Sequence, residues 1–230
     1  NSDTSSVLPT GWTFFESGGT NADTTYTASD GTSTSGDTYS FGTTSSTDRA
    51  FGTLLSKKLT STIGVAYKNN TGFTISELVI SFVGEQWRLG GTDRTDRLDF
   101  QYSLDATSLT TGNWTNVDAL DFNAPKSTGT VGKLNGNAAE NRKSISHTIT
   151  GISIPNGSTF WIRFTDFDVP GSDDGLAIDD WSITANADTQ APSLVTASLV
   201  PADNSTDIAI NTTLTIPFDE NIQKGTGSVR

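Results

Sequence analysis

The sequence predicts an all-β protein: an antiparallel β-sandwich of jelly-roll type, followed by part of an Ig-like β domain. Three observations lead there. β-Branched and aromatic residues gather in short runs between clusters of Gly, Asn, Asp and Ser, the pattern of many short strands. No window carries a sustained 3.6-residue apolar period, the mark of an amphipathic helix. Leu98, Phe100, Tyr102 and Leu104 alternate with Asp99, Gln101 and Ser103, as a strand does when one face is buried.

The elements follow in order. Residues 12–15 (Trp-Thr-Phe-Phe) read as the first strand, and 16–37 as a long polar excursion. Strands are expected near 38–42, 49–53, 63–68, 75–88, 98–104, 144–149, 159–167 and 176–184, with a turn at Asn69-Asn70-Thr71-Gly72. Residues 123–143 form a second long loop; loops of this length in compact domains are functional or disordered. The expected core is Phe14, Ile80, Phe82, Leu98, Phe100, Tyr102, Phe160, Ile162, Phe164 and Ile178. Residues 185–192 have linker composition. The sandwich is therefore placed at 1–187, and 188–230 reads as the N-terminal part of a second β domain, cut short.

Composition narrows the chemistry. The net charge is −12, from 14 Lys and Arg against 26 Asp and Glu. Phosphate neutralisation needs clustered basic residues, so direct nucleic-acid binding is not expected. With no cysteine, disulfides, thiolate zinc sites and cysteine nucleophiles are excluded. No signal peptide or apolar membrane-spanning run is present, and Met is absent even at position 1, as in a mature or trimmed chain. The one histidine, His147, reads as a strand surface residue; one His supports no Ser-His-Asp arrangement. Neither His-Glu-x-x-His nor a nucleotide-binding Gly-x-x-x-x-Gly-Lys-Ser/Thr loop occurs. The Asn-x-Ser/Thr sequons at Asn69, Asn113, Asn156, Asn204 and Asn211 arise readily in a chain this rich in Asn, Ser and Thr.

Two segments carry the candidate sites. The first runs from Phe160 to Ile183, two strands joined by an acidic loop, with six carboxylates between Asp166 and Asp180. Like charges that close repel unless water or a cation screens them, and Ca²⁺ takes six to eight oxygen ligands. An EF-hand starting at Asp166 fails, because Pro170 occupies a ligand position and Ala177 replaces the closing Glu. Asp166, Asp168 and Asp174 are candidate ligands of a discontinuous calcium site; the alternative is a solvated turn. The second segment is Gly84-Glu85-Gln86-Trp87-Arg88. In a strand Glu85 and Trp87 share one face, and Gln86 and Arg88 the other. One reading is a sugar-binding patch, with Trp87 stacking on a ring and Glu85 and Arg88 binding hydroxyls. The other is structural, with Trp87 packed under a long loop. Trp161 and Arg163 share a face and are candidates for the same patch, while Trp114 and Trp181 read as core or rim.

The ending Gly175-Leu-Ala-Ile-Asp-Asp-Trp-Ser-Ile183 resembles the last strand of jelly-roll modules such as MAM domains and several carbohydrate-binding families. That resemblance implies a structural calcium shared by Asp179 or Asp180 with Glu16. Gly36-Asp-Thr-Tyr-Ser-Phe-Gly42, Arg49-Ala-Phe-Gly52, Asn70-Thr-Gly72, the Gly84–Arg88 motif and Phe100-Gln-Tyr-Ser103 resemble an uncharacterised domain of large secreted bacterial surface proteins. Pro201-Ala-Asp-Asn204, Ile216-Pro-Phe218 and Glu220-Asn-Ile-Gln-Lys-Gly225 resemble the start of a bacterial Ig-like repeat. These likenesses imply a secreted or cell-surface location. They imply a non-catalytic, calcium-stabilised binding or adhesion module for polysaccharide or cell-surface glycan, working beside other domains of the same polypeptide. The rival expectation is a spacer or accessory domain of an extracellular nuclease, phosphoesterase or glycosidase. A hydrolase using paired carboxylates is the third.

Overall fold

The computed structural model describes residues 3–19, 22–56, 59–187 and 193–219. The chain divides into two compact units, Asn1–Asp188 and Thr189–Arg230. In the first, the strands are β1 (Thr4–Ser5), β2 (Trp12–Ser17), β3 (Tyr26–Ser29), β4 (Asp37–Phe41), β5 (Ala50–Leu54), β6 (Thr60–Lys68) and β7 (Ile75–Leu89). They continue as β8 (Arg97–Ser103), β9 (Thr115–Asn116), β10 (Phe122–Asn123), β11 (Gly132–Lys133), β12 (Arg142–Ile149), β13 (Thr159–Phe167) and β14 (Gly175–Ala187).

These strands build two sheets. The first has the order β1-β3-β4-β5-β14-β7, with β11 and β12 both paired to β7. The second has the order β10-β8-β13-β6-β2, with β9 beside β8. Every pairing is antiparallel except β3 with β4. The all-β sandwich is as the alternation predicts. β3 was not foreseen; it lies inside the polar excursion and pairs in parallel.

The core lies between the sheets because alternate residues of each strand point inward. Leu78, Ile80 and Phe82 of β7 meet Ile63 and Val65 of β6, Leu98 and Phe100 of β8, and Phe160, Ile162 and Phe164 of β13. Phe82 and Phe100 stand edge-on to Phe164, at centroid distances of 5.1 and 5.3 Å. Burying each such side chain contributes about 1.5–3 kcal/mol. Eight of the ten expected core residues are buried, and the other two, Phe14 and Tyr102, pack half-buried against the cluster.

A second, smaller core forms on the outer face of the first sheet. Tyr39, Phe41, Ala50, Leu54, Trp87 and Ala177 bury one another there. The long loops seal it. Leu134 N–H donates to the Trp87 carbonyl at 2.8 Å. A Cβ at Gly136 would come within 2.3 Å of the indole, so only glycine lets this backbone lie on Trp87.

One end of the sandwich is held by polar contacts between the sheets. Thr38 on β4 donates both its N–H and its hydroxyl to Glu16 Oε1 on β2, each at 2.7 Å. Thr53 on β5 donates its hydroxyl to Asp166 Oδ2 on β13 at 2.7 Å, and Leu55 N–H donates to the same oxygen at 3.1 Å. Such bonds offset part of the cost of burying a carboxylate.

In the second unit, the described residues form two isolated bridges, Leu194 with Phe218 and Val200 with Thr215. Residues 188–192 of the expected linker and the Glu220–Gly225 motif lie outside the described residues.

Removing the Thr53 hydroxyl tests the inter-sheet tie. Thr53→Val takes one partner from a buried carboxylate and is expected to destabilise the protein by about 1–3 kcal/mol in urea unfolding. An unchanged unfolding midpoint would show that this contact does not hold the sheets.

Candidate functional site

The site is set by an irregularity in β14. Asp179 pairs with Val83 and Ser182 with Ser81, so Asp180 and Trp181 together face Phe82 alone. This β-bulge inserts one residue and shifts the alternation of everything after it. Trp181 consequently turns inward, where its ring lies 6.0 Å from those of both Phe82 and Phe164. Its indole N–H donates to the Tyr67 hydroxyl at 2.7 Å. Asp180 takes up the extra residue with a φ of 51°, a left-handed conformation that Asp tolerates better than most residues. Its N–H is bonded to Asp179 Oδ1 at 2.8 Å.

Beside the bulge the sandwich opens into a cleft of about 370 Å³. Its lining includes the aromatic residues Trp12, Tyr26, Phe51 and Trp181 and the polar residues Ser40, Arg49, Asp179 and Asp180. The rings hold one another edge-to-face: Trp12 to Trp181 at 5.8 Å, Trp12 to Phe51 at 6.2 Å and Tyr26 to Phe51 at 5.8 Å. All four side chains are half-buried, which leaves apolar surface open to a ligand. Burial raises the Asp179 carboxyl above the usual range, and the neighbouring Asp180 and Asp48 raise it further.

The residues expected to form a ligand-binding face are placed otherwise. Glu85 and Trp87 do share a face, but both are buried, at 1% exposure each. Trp87 stacks on Phe41 at 6.1 Å and donates its indole N–H to Glu85 Oε2 at 2.9 Å. Burial pushes the Glu85 carboxyl up to about 7. The pair belongs to the outer core, which corrects the reading of an exposed patch. Arg88 donates to the carbonyls of Gly31 and Thr32 and ties down the covering loop. Arg163 is held by Gln101 Oε1 at 2.7 Å, by the Leu109 carbonyl at 2.6 Å and by the Trp114 ring 3.9 Å beneath its guanidinium. Trp161 is half-buried on the same face, and its indole nitrogen has no partner.

The expected calcium ligands fall in three places. Glu16 accepts from Thr38 at Oε1 and from Asp23 N–H at Oε2, 3.0 Å away. It is occupied by the inter-sheet tie, which corrects its expected pairing with Asp179 or Asp180. Those two line the cleft. Asp166 and Asp174 sit at a buried acidic corner with Asp96 and Asp173, while Asp168 is exposed. Asp174 accepts from Gly90 N–H at 2.6 Å and from the Gln86 amide at 2.7 Å. Asp96 accepts from Asp174 N–H at 2.6 Å and from Arg94. Asp166 Oδ1 is buried without a partner, as are two nitrogens of Arg94. The guanidinium brings its positive charge into the corner where an ion would sit. Among the described residues no group of three or more acidic or histidine side chains is set to hold a metal ion as it stands, and Arg94 fills the corner beside Asp96 and Asp173. Burial raises the corner carboxyls, Asp173 to about 6, Asp174 to about 7 and Asp166 well above the ordinary value.

Sequence reasoning missed Trp12, Tyr26, Arg49 and Phe51 as cleft residues. Trp12, Arg49 and Phe51 lie in segments singled out above, but only the fold brings them to β14.

The fold and cleft define a two-sheet β-sandwich with an aromatic groove beside its last strand. No family model and no curated protein sequence matches the chain. Among solved structures, one similar chain is the enzymatically active domain of tailspike protein 4 of bacteriophage CBA120. It is 12% identical with a TM-score of 0.39, over 77% of this chain and 20% of that one. Another is TmCBM61 in complex with β-1,4-galactotriose, 11% identical with a TM-score of 0.39, over 75% of this chain and 88% of that one. The chain thus spans about a fifth of the tailspike chain.

Two outcomes follow from the buried carboxyls. Asp173, Asp174 and Glu85 titrate higher in the folded chain than in the unfolded one. The folded state therefore holds more protons between the ordinary carboxylate range and neutral pH, and stability falls as pH rises through that window. The melting temperature should be higher near about pH 5 than near about pH 8; the reverse order would contradict the assigned burial. An ion bound only by the folded state would stabilise it; with Arg94 paired to Asp96 and Asp173 in the acidic corner, EDTA is expected to leave the melting temperature unchanged, and a clear fall would assign a bound metal.

Proposed function

We propose that residues 3–187 form a non-catalytic binding module whose ligand is a glycan held in the aromatic cleft beside β14. The observation that carries this is the lining of the cleft: four half-buried rings together with Ser40, Arg49, Asp179 and Asp180. Small-ligand sites are concave, mostly apolar and furnished with a few polar groups that fix orientation. A sugar ring suits such a lining. Its C–H face covers an aromatic side chain while its hydroxyls reach carboxylates and a serine. Stacking on rigid rings also costs little side-chain entropy, since the T-shaped contacts already fix the rotamers.

Isothermal titration with a panel of neutral and amino oligosaccharides tests this. At least one should bind, and Trp12→Ala should weaken it by about tenfold or more, the loss of an aromatic anchor. Trp161→Ala, on the outer face of the second sheet, should leave binding in place. Circular dichroism checks that both variants fold. Absence of binding across the panel, or loss in Trp161→Ala alone, would remove the cleft as the site.

A further inference from the structure

Two carboxylates and one guanidinium line the cleft. Arg49, the basic residue, keeps its charge, but its guanidinium is held by neutral acceptors. Its Nε donates to Ser40 Oγ at 3.0 Å, and its Nη2 donates to the carbonyls of Ser40 and Ser29. The acid whose charge bears on Arg49 is Asp30. Among the described residues the ion pairs are Arg94 with Asp96 and Asp173, Arg97 with Asp99, and Lys133 with Asp30. None involves Asp179, Asp180 or Asp48. Asp48 accepts instead from the Asn137 amide at 2.9 Å. At the rim, Asp180 is thus an exposed carboxylate with no ion-pair partner among the described residues, close to aromatic faces.

Both features favour the same ligand chemistry. An ammonium group is attracted to the face of an aromatic ring, and a hydrogen bond between ammonium and carboxylate is stronger than one between neutral groups. Asp180 is the carboxylate best placed to supply that bond, because the bulge holds it exposed at the cleft rim in a fixed backbone conformation. Anionic sugars meet like charge at the same rim. We propose, building on the glycan-binding reading above, that the cleft prefers an oligosaccharide carrying free ammonium groups over its neutral counterpart. A glucosamine polymer is the simplest case, and Asp180 is the specificity-determining residue.

The experiment compares three tetrasaccharides of one linkage on the intact chain by isothermal titration under mildly acidic conditions: glucosamine, N-acetylglucosamine and glucose. The glucosamine tetrasaccharide should bind about tenfold more tightly than the other two, the worth of one charge-assisted hydrogen bond. Raising the salt concentration should erode that advantage, since exposed charges are screened. Asp180→Asn should bring the ratio towards one; Asn also tolerates the left-handed conformation, so the bulge is kept. Because the chain's charge of −12 attracts any cation, Asp118→Asn serves as the charge-matched control. It lies beside β8, at the opposite edge of the second sheet from β2, and should keep the preference. Equal binding of the three sugars, or a preference that survives Asp180→Asn, overturns this proposal and leaves the glycan reading standing. Failure of all three to bind, within a panel that binds nothing, overturns both.

Discussion

β14 holds one residue more than β7 between Asp179 and Ser182, and the location of the cleft depends on that extra residue. In an unbroken strand Trp181 would fall on the same side as Asp179, outside the sandwich. The bulge reverses this. Trp181 joins Phe82 and Phe164 in the core, and Ile183 and Ala185 follow it inward. Asp180 is left at the surface, bonded to its neighbour rather than paired into the sheet. The same local event thus builds the aromatic wall and sets a carboxylate at its rim.

The chain treats its acidic residues in two ways. At the end of the sandwich they are buried and engaged as acceptors for backbone N–H groups, threonines, an amide and Arg94. The bonds to Asp166 link the two sheets and help fix how the layers face each other, while Asp174 ties the adjoining ends of β7 and β14 within one sheet. Their cost is visible in raised carboxyl pKa values, with burial the leading cause. At the cleft the acids are half-buried or exposed and keep oxygens facing solvent. A buried end bonded across the sheets and an open cleft are the structural basis for assigning one a fold role and proposing a binding role for the other.

Much of the fold could be read from the residues. Strands with strict alternation, such as β8 and β13, stand where the pattern places them. β3 could not be read, because Tyr-Thr-Ala-Ser carries little apolar signal and its parallel partner is β4. The candidate site was less legible. Leu-Ala-Ile-Asp-Asp-Trp-Ser-Ile fits an uninterrupted strand, and nothing local marks the bulge. Glu85 and Trp87 share a face as alternation predicts, and of the two readings it is Trp87 under a long loop that the structure has; periodicity could not name the covering segments, at Gly31 and Gly136. Clustered aspartates suggested an ion; spacing gave no sign that Asp166 takes a hydrogen bond from Thr53, 113 residues away. Periodicity reports which way a side chain points; it does not report what lies over it.

The most direct measurement of the central claim is a ¹H–¹⁵N NMR titration of the intact chain with an oligosaccharide that binds. The account predicts that the indole signal of Trp12 and the backbone amides of Phe51, Asp179 and Asp180 shift together, while the indole of Trp161 stays still. Shifts centred on Trp161, Arg163 and Trp114, with the β14 bulge unmoved, would contradict it.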